Sequence, residues 1–320
     1  MTQFLIDTDT ASDDAVALIM ALRSPAVEVL GITTVAGNVE VEQATRNALY
    51  VVAFCDAETP VYQGSAQPLY RKLQIADWFH GKDGLGDHNY PAARQTAETE
   101  HAVTALIRII RQNPGLVLVT LGPLTNIALA IAQAPDIAVN IGRCVVMGGA
   151  PCCEGNVTPA AEYNMWVDPE AARIVLHSKL PIELVGWHLC RGDAALGLND
   201  IDFVNGIGTK IASFAIECNS TARDAYLEQT GEHGISLPDP VAMSLALDPS
   251  IGTSMSRHHV DIETATELTR GMTVVDRLNV ATNARNRQTW AALLDRPPNA
   301  LVYWAIDVPR WKKLLYETLA

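Results

Sequence analysis

The chain of 320 residues is 48% hydrophobic and only 18% charged, which is enough apolar material for a large buried core. Its net charge of -13 excludes nonspecific attachment to nucleic acid or to an anionic membrane surface and leaves small neutral or cationic molecules as partners. No apolar run reaches the roughly 18 to 20 residues of a membrane span, no charged and apolar leader precedes the first strand, and the cysteines show neither metal-ligand nor disulfide spacing. The expected compartment is therefore the cytoplasm.

Apolar runs alternate with helical patterns from the start, the signature of βα units stacked on a mostly parallel sheet. A strand at 4–6 leads into a helix at 13–23, a strand at 27–35 leads into a helix at 41–55, and 60–62 reads as a short strand. After a loop rich in Gly and His come a helix at 102–112, a strand at 116–120 and a helix at 124–133. A strand at 144–147 ends in Gly148-Gly149, a helix begins over 169–176, and 182–185 is a further buried strand. The final part is strand-rich, at 260–262, 272–275 and 301–306, and closes on a helix from Pro309. The expectation is one α/β domain over 1–320, an open, mostly parallel sheet flanked by helices around a Rossmann-like core.

The first strand-to-helix turn carries the strongest chemical signal. Asp7, Asp9, Asp13 and Asp14 crowd into the run Asp-Thr-Asp-Thr-Ala-Ser-Asp-Asp. Like charges this close raise one another's pKa and repel, and a divalent cation is the simplest compensation. Asp7 and Asp9, two positions apart at a strand end, share a face, whereas Asp13 and Asp14 diverge by about 100° in the first helical turn. One of the helical pair can therefore face a metal and the other a ligand beside it. Helix capping alone would explain Ser12, Asp13 and Asp14 but neither Asp7 nor Asp9. Ligands in open parallel sheets bind beyond the carboxyl ends of the strands. Asn38, the segment 121–126 and Gly148-Gly149 fall at those ends as well.

Together these segments resemble the inosine-uridine nucleoside hydrolase family, the metal-dependent N-ribohydrolases. The resemblance runs through the aspartate cluster, Thr34-Val35-Ala36-Gly37-Asn38, His80-Gly81-Lys82-Asp83-Gly84-Leu85-Gly86 and Gly122-Pro123-Leu124-Thr125-Asn126. It continues through Met147-Gly148-Gly149, the block 155–164, Asp239-Pro240 and Glu267-Leu268-Thr269-Arg270-Gly271, so it spans essentially the whole chain. It implies a parallel-sheet α/β fold, one bound Ca²⁺, and cleavage of the bond joining ribose to a nucleobase, in a homodimer or homotetramer. It also implies Asp9, Asp14, the main-chain oxygen of Thr125 and Asp239 as metal ligands, with Asp9 doubling as general base. Hard oxygen donors suit calcium, where zinc would call for His or Cys. By the same resemblance Asp13, Asn38, Asn156, Glu162 and Asn164 bind ribose, and Met147 contacts the sugar. A ribose site of carboxylates and amides would strongly reject a deoxy sugar.

One departure matters. Many relatives carry a histidine immediately before the last metal-binding aspartate to protonate the leaving base, and here that residue is Pro238. His80 is the first candidate for a substitute acid, with His88, His188 and His233 behind it. Alternatively, Trp78 and Tyr226 supply rings that stack on the base, Trp187 being packing, and residues 223–234 read as a mobile lid. Two rival readings stand beside this one. Pro238 leaves room for a non-catalytic nucleoside or ribose binder, and Asp7-Thr8-Asp9 superficially fits a haloacid-dehalogenase-like phosphatase.

Overall fold

The computed structural model describes residues 1–280, 283–286 and 297–320. Strands β1 (Thr2–Thr8), β2 (Val27–Thr34) and β3 (Val61–Gln63) pair in parallel, linked by helices α1 (Ser12–Arg23) and α2 (Val41–Phe54). The chain passes through α3 (Asp77–His80) and α4 (Ala102–Gln112) to β4 (Leu116–Thr120), which pairs with the opposite edge of β1. Helix α5 (Thr125–Gln133), β5 (Ile141–Met147), α6 (Tyr163–Val167), α7 (Pro169–Leu176) and β6 (Ile182–Val185) then carry the sheet outward. Growth thus reverses direction between β1 and β4. The loops beyond the carboxyl ends of those two strands diverge there and open a crevice.

Helices α8 (Leu198–Ile207), α9 (Lys210–Glu217), α10 (Ser220–Thr230) and α11 (Pro238–Leu247) follow in succession. The chain returns through β7 (Gly252–His258), β8 (Val260–Ile262), β9 (Thr273–Val275), β10 (Ala300–Ile306) and α12 (Val308–Leu319). Strand β10 enters parallel to β6 and carries β7 antiparallel at the edge, giving an eight-stranded sheet in the order β3-β2-β1-β4-β5-β6-β10-β7. Strands β8 and β9 form a separate antiparallel pair.

Side-chain alternation sorts the core onto the two faces. Phe4, Ile6, Val117, Val119 and Val145 join α1, α11 and α12 on one side, while Leu5, Leu116, Leu118, Cys144 and Val146 join α4, α5 and α7 on the other. The strands of the middle of the sheet therefore read as unbroken apolar runs, as a sheet covered on both faces requires. Helix α1 is buried from Ser12 to Ala21, so its first-turn aspartates enter the interior with it.

Three features differ from the sequence expectation. The helices from α8 to α11 and the edge strand β7 were not anticipated, and residues 223–230, expected in a lid, form the last two turns of α10. Gly231, at φ +73, ends that helix in the left-handed conformation, and Leu196 and Ile235 then bridge the returning chain. Among the described residues, no helix is long and apolar enough to cross a membrane.

Candidate active site

Two helix N-termini meet at the crevice. Helix α1 brings Asp13 and Asp14 in its first turn, and α11 brings Asp239. Pro238 has a local reason to stand before it: at the first helical position a proline loses no hydrogen bond, and its fixed φ starts the helix. Carboxylate oxygens of Asp13, Asp14 and Asp239 lie within 4.8 Å of one another, all buried. Asp9 enters from just beyond the end of β1, close enough to Asp14 and Asp239 for their charges to act on one another. Facing carboxylates hold together in this way only with a proton or a cation between them.

Asp14 is the best anchored of the four. Its Oδ1 accepts from the Thr8 hydroxyl at 2.5 Å and its Oδ2 from the Ala11 N–H at 2.9 Å. On Asp9, Oδ2 accepts from the Asn38 N–H at 2.6 Å, whereas Oδ1 is buried and has no partner. Glycines close on both oxygens: a Cβ at Gly37 would fall 2.1 Å from Oδ2, and one at Gly122 would fall 2.7 Å from Oδ1. Burial, followed by the charge of Asp14, pushes Asp13 up to about 7 and holds Asp9 well above the usual carboxylate range. Asp239 is raised likewise, by burial and then by Asp13, Asp14 and Asp9. An orphaned buried oxygen inside four mutually repelling carboxyls fits a hard divalent cation.

Asp7 does not join them. Strand β1 ends at Thr8, so the strand parity that would align Asp7 with Asp9 is lost where the backbone turns away. Its Oδ1 accepts from Thr33 Oγ1 at 2.5 Å and from Asn126 Nδ2 at 2.9 Å, and burial pushes it up to about 7. A carboxyl raised in the folded state contributes stability that is fully present below its ordinary pKa of 3.8 and lost as pH rises through about 7. Asp7→Asn cannot ionise. Its melting temperature is expected to gain on wild type by at least about 2 °C between roughly pH 4 and pH 8. The pH slope is the readout, and parallel curves would show that Asp7 is ionised throughout.

The cavity beside this cluster gathers the six anticipated sugar-binding residues. Asp13, Asn38, Met147, Asn156, Glu162 and Asn164 all line it. Glu162 caps α6, its Oε1 accepting from Asn164 N–H at 2.8 Å and its Oε2 from Gly149 N–H at 2.7 Å, so the carboxylate is fixed before any ligand arrives. Asn164 Nδ2 donates to the Leu121 carbonyl at 2.7 Å, and Asn156 Oδ1 accepts from Tyr163 N–H at 2.9 Å. Thr125 opens α5 with its hydroxyl donated to Asp168 at 2.7 Å.

Rings line the same cavity. Trp78, Phe79, Trp187 and Tyr226 line it, Trp78 being 57% exposed on the rim. Tyr226 is buried and donates its hydroxyl to Glu232, so its ring faces the cavity while its proton is committed elsewhere. Trp187, expected as packing, both packs and lines the cavity, with its Nε1 donating to the Glu154 carbonyl at 2.7 Å.

His80 also lies in the wall, its Nδ1 4.0 Å from Asp13 Oδ1. Burial pushes its imidazole down to about 3, and Nδ1 sits 2.8 Å from Ser12 Oγ. It is neutral at physiological pH, and a cation among the aspartates would hold it there more firmly. His88 is turned to the Glu217 carbonyl and His188 packs near Trp304, and neither lines the cavity.

The family described as inosine-uridine preferring nucleoside hydrolase matches residues 4–313. The chain belongs to that family. It is 36% identical to a pyrimidine-specific ribonucleoside hydrolase of Salmonella gallinarum, over 98% of this chain and 97% of that one. Among solved structures it superposes on a plant nucleoside hydrolase with a TM-score of 0.91 at 31% identity, covering 99% of this chain and 98% of that one. A purine-preferring ribonucleoside hydrolase from Gardnerella vaginalis follows at 0.89 and 30%, over 99% and 98%. The protein is thus a nucleoside hydrolase, an enzyme acting on the N-glycosyl bond of ribonucleosides, and the phosphatase and pure-binder readings give way to it.

Several residues of this nucleoside hydrolase site escaped the sequence reading. Gly37 and Gly122 sit against Asp9, Asp168 holds Thr125, and Asn219 binds the Ser12 carbonyl through Nδ2 at 3.3 Å from the cavity wall. Trp187 could have been found, because it follows β6 at the same carboxyl edge that flagged Asn38 and Gly148. Asp168-Pro169 also carries the pattern of a helix N-cap.

Proposed function

We propose that the enzyme is a Ca²⁺-dependent hydrolase of ribonucleosides that yields ribose and the free nucleobase. The observation that carries this reading is the gathering of Asp13, Asp14 and Asp239 within 4.8 Å of one another beside the cavity, with the Asp9 Oδ1 nearby buried and unpartnered among the described residues. Asp9, Asp14, Asp239 and the main-chain oxygen of Thr125 would hold the ion. When bound, calcium would supply a hard positive centre that lowers the cost of the crowded carboxylates and favours water and ribose hydroxyls as further ligands.

Asp9 accepts a proton from the attacking water as that water's oxygen bonds to the anomeric carbon. The carbon–nitrogen bond breaks, its electron pair leaves with the base, and the departing base takes up a proton from solvent. Asp13, Asn38, Asn156, Glu162 and Asn164 hold the sugar, and the carboxylates among them stabilise the positive charge that develops on the ring. No imidazolium is at hand for the base, since Pro238 replaces the acid and His80 is neutral. Trp78, Trp187 and Tyr226 instead offer ring faces for stacking, which support the base as it departs.

The test is a panel of ribonucleosides and 2′-deoxyribonucleosides assayed for reducing-sugar release, with and without chelator. Ribonucleosides are expected to turn over, chelation to abolish release, and Ca²⁺ to restore it. Deoxy substrates should be slower by about 10⁴-fold, because a missing hydroxyl leaves buried polar groups unpaired. Full activity after chelation would refute the calcium dependence.

A further inference from the structure

We propose that His177, His259 and Asp261 form a second cation site, remote from the catalytic cavity and selective for a zinc-class transition metal. His177 caps the carboxyl end of α7, a helix that runs back to the amino edge of the sheet, away from the aspartate cluster. His259 immediately precedes β8 and Asp261 lies within it, so the two sit on either side of Val260 in the chain. One ligand atom from each of the three lies within 4.8 Å of the others. His177 Nε2 is 3.2 Å from Asp261 Oδ1, and the two imidazole centroids are 6.1 Å apart.

The tautomer of His259 decides the matter. Its Nδ1 faces the Pro297 carbonyl at 3.4 Å, and a carbonyl can only accept, so the ring proton resides on Nδ1. Nε2 is then left with a lone pair, and that nitrogen is buried with no hydrogen-bond partner among the described residues. A carbonyl on one ring nitrogen and a free lone pair on the other is the arrangement of a metal-ligating histidine. Two imidazoles and a carboxylate suit Zn²⁺, Co²⁺, Ni²⁺ or Cu²⁺, with water completing the sphere, and disfavour Ca²⁺ and Mg²⁺.

Arg173 is a competitor for the carboxylate. Its Nε lies 3.1 Å from Asp261 Oδ1, and its side chain is 44% exposed, so it can swing into solvent when a metal takes the carboxylate. Removing it should tighten the site. That sign distinguishes a metal site from a plain ion-pair cluster, which the same change would only loosen.

The experiment titrates the full-length protein with Co²⁺ and follows visible d–d absorption, then displaces the ion with Zn²⁺. Wild type should take up one more equivalent than His177→Ala or His259→Ala, and Arg173→Ala should bind that equivalent at least about threefold more tightly. Any ion entering the aspartate cluster is common to all four proteins and cancels in the difference. Equal stoichiometry in wild type and both histidine variants would overturn the proposal, as would weaker binding by Arg173→Ala. His177 is on the surface, so its variant keeps the comparison valid even if His259→Ala folds poorly.

Discussion

Asp9→Asn is expected to lower kcat on every ribonucleoside by about 10⁴-fold, while affinity for ribose stays within about tenfold of wild type. The substitution is nearly isosteric. The amide oxygen can take the place of Oδ2 and keep the Asn38 N–H bond, while the amide nitrogen fills the space of Oδ1 against Gly122. What is lost is the capacity to accept a proton from water. The ion would also lose one anionic ligand, so kcat must be measured at saturating Ca²⁺ to separate the two roles. Ribose binding by calorimetry in the same buffer then reports whether the sugar site is intact. A variant that keeps kcat within tenfold of wild type would remove Asp9 from the proton-transfer step, whatever its part in holding the ion.

What could be read from the sequence followed the range of the interactions involved. Asp9, Asp13 and Asp14 are close in the chain, and the strand-to-helix pattern around them fixes their placement through local geometry alone. Asp239 comes from the far end of the chain, and no periodicity connects it to β1. Only likeness to a family pointed to it, and the packing of α11 against α1 supplies the physical reason. Asp7 misled because strand parity holds only while the strand lasts, and β1 stops at Thr8. At His80 a sequence shows a titratable ring but not the burial that pushes its imidazole down. Helix α10 was hidden by its polarity: its residues, Ser-Thr-Ala-Arg-Asp-Ala-Tyr-Leu-Glu-Gln-Thr, bury only Ala222, Ala225 and Tyr226. Such a helix forms by docking a narrow face against its neighbours, and that stripe is too sparse to stand out as an amphipathic pattern.

Gly37→Ala should damage activity strongly, if less than loss of the base, although it removes no functional group. The backbone at Gly37 is not in the left-handed region, so alanine brings no torsional penalty there. Its effect is steric. The new Cβ would sit 2.1 Å from Asp9 Oδ2 and 2.8 Å from Pro123 Cδ. One neighbour is a ring and the other a carboxylate on a short side chain, so Asp9 must rotate and surrender the Asn38 N–H. Displacement of a catalytic group by about 1 Å costs on the order of 10²-fold, and here it also disturbs the set of oxygens offered to the ion. kcat/KM is therefore expected to fall by about 10² to 10³-fold. Overpacking costs about 1–3 kcal/mol in fold stability, so the melting temperature should drop by several degrees without loss of cooperative unfolding. Gly122→Ala attacks the same carboxylate from its other side, with a Cβ 2.7 Å from Oδ1, and should follow the same course. The pair separates precise placement of Asp9 from its mere presence. If both variants work within threefold of wild type, Asp9 tolerates displacement, and a base that must meet a single water at a fixed angle is the wrong description of it.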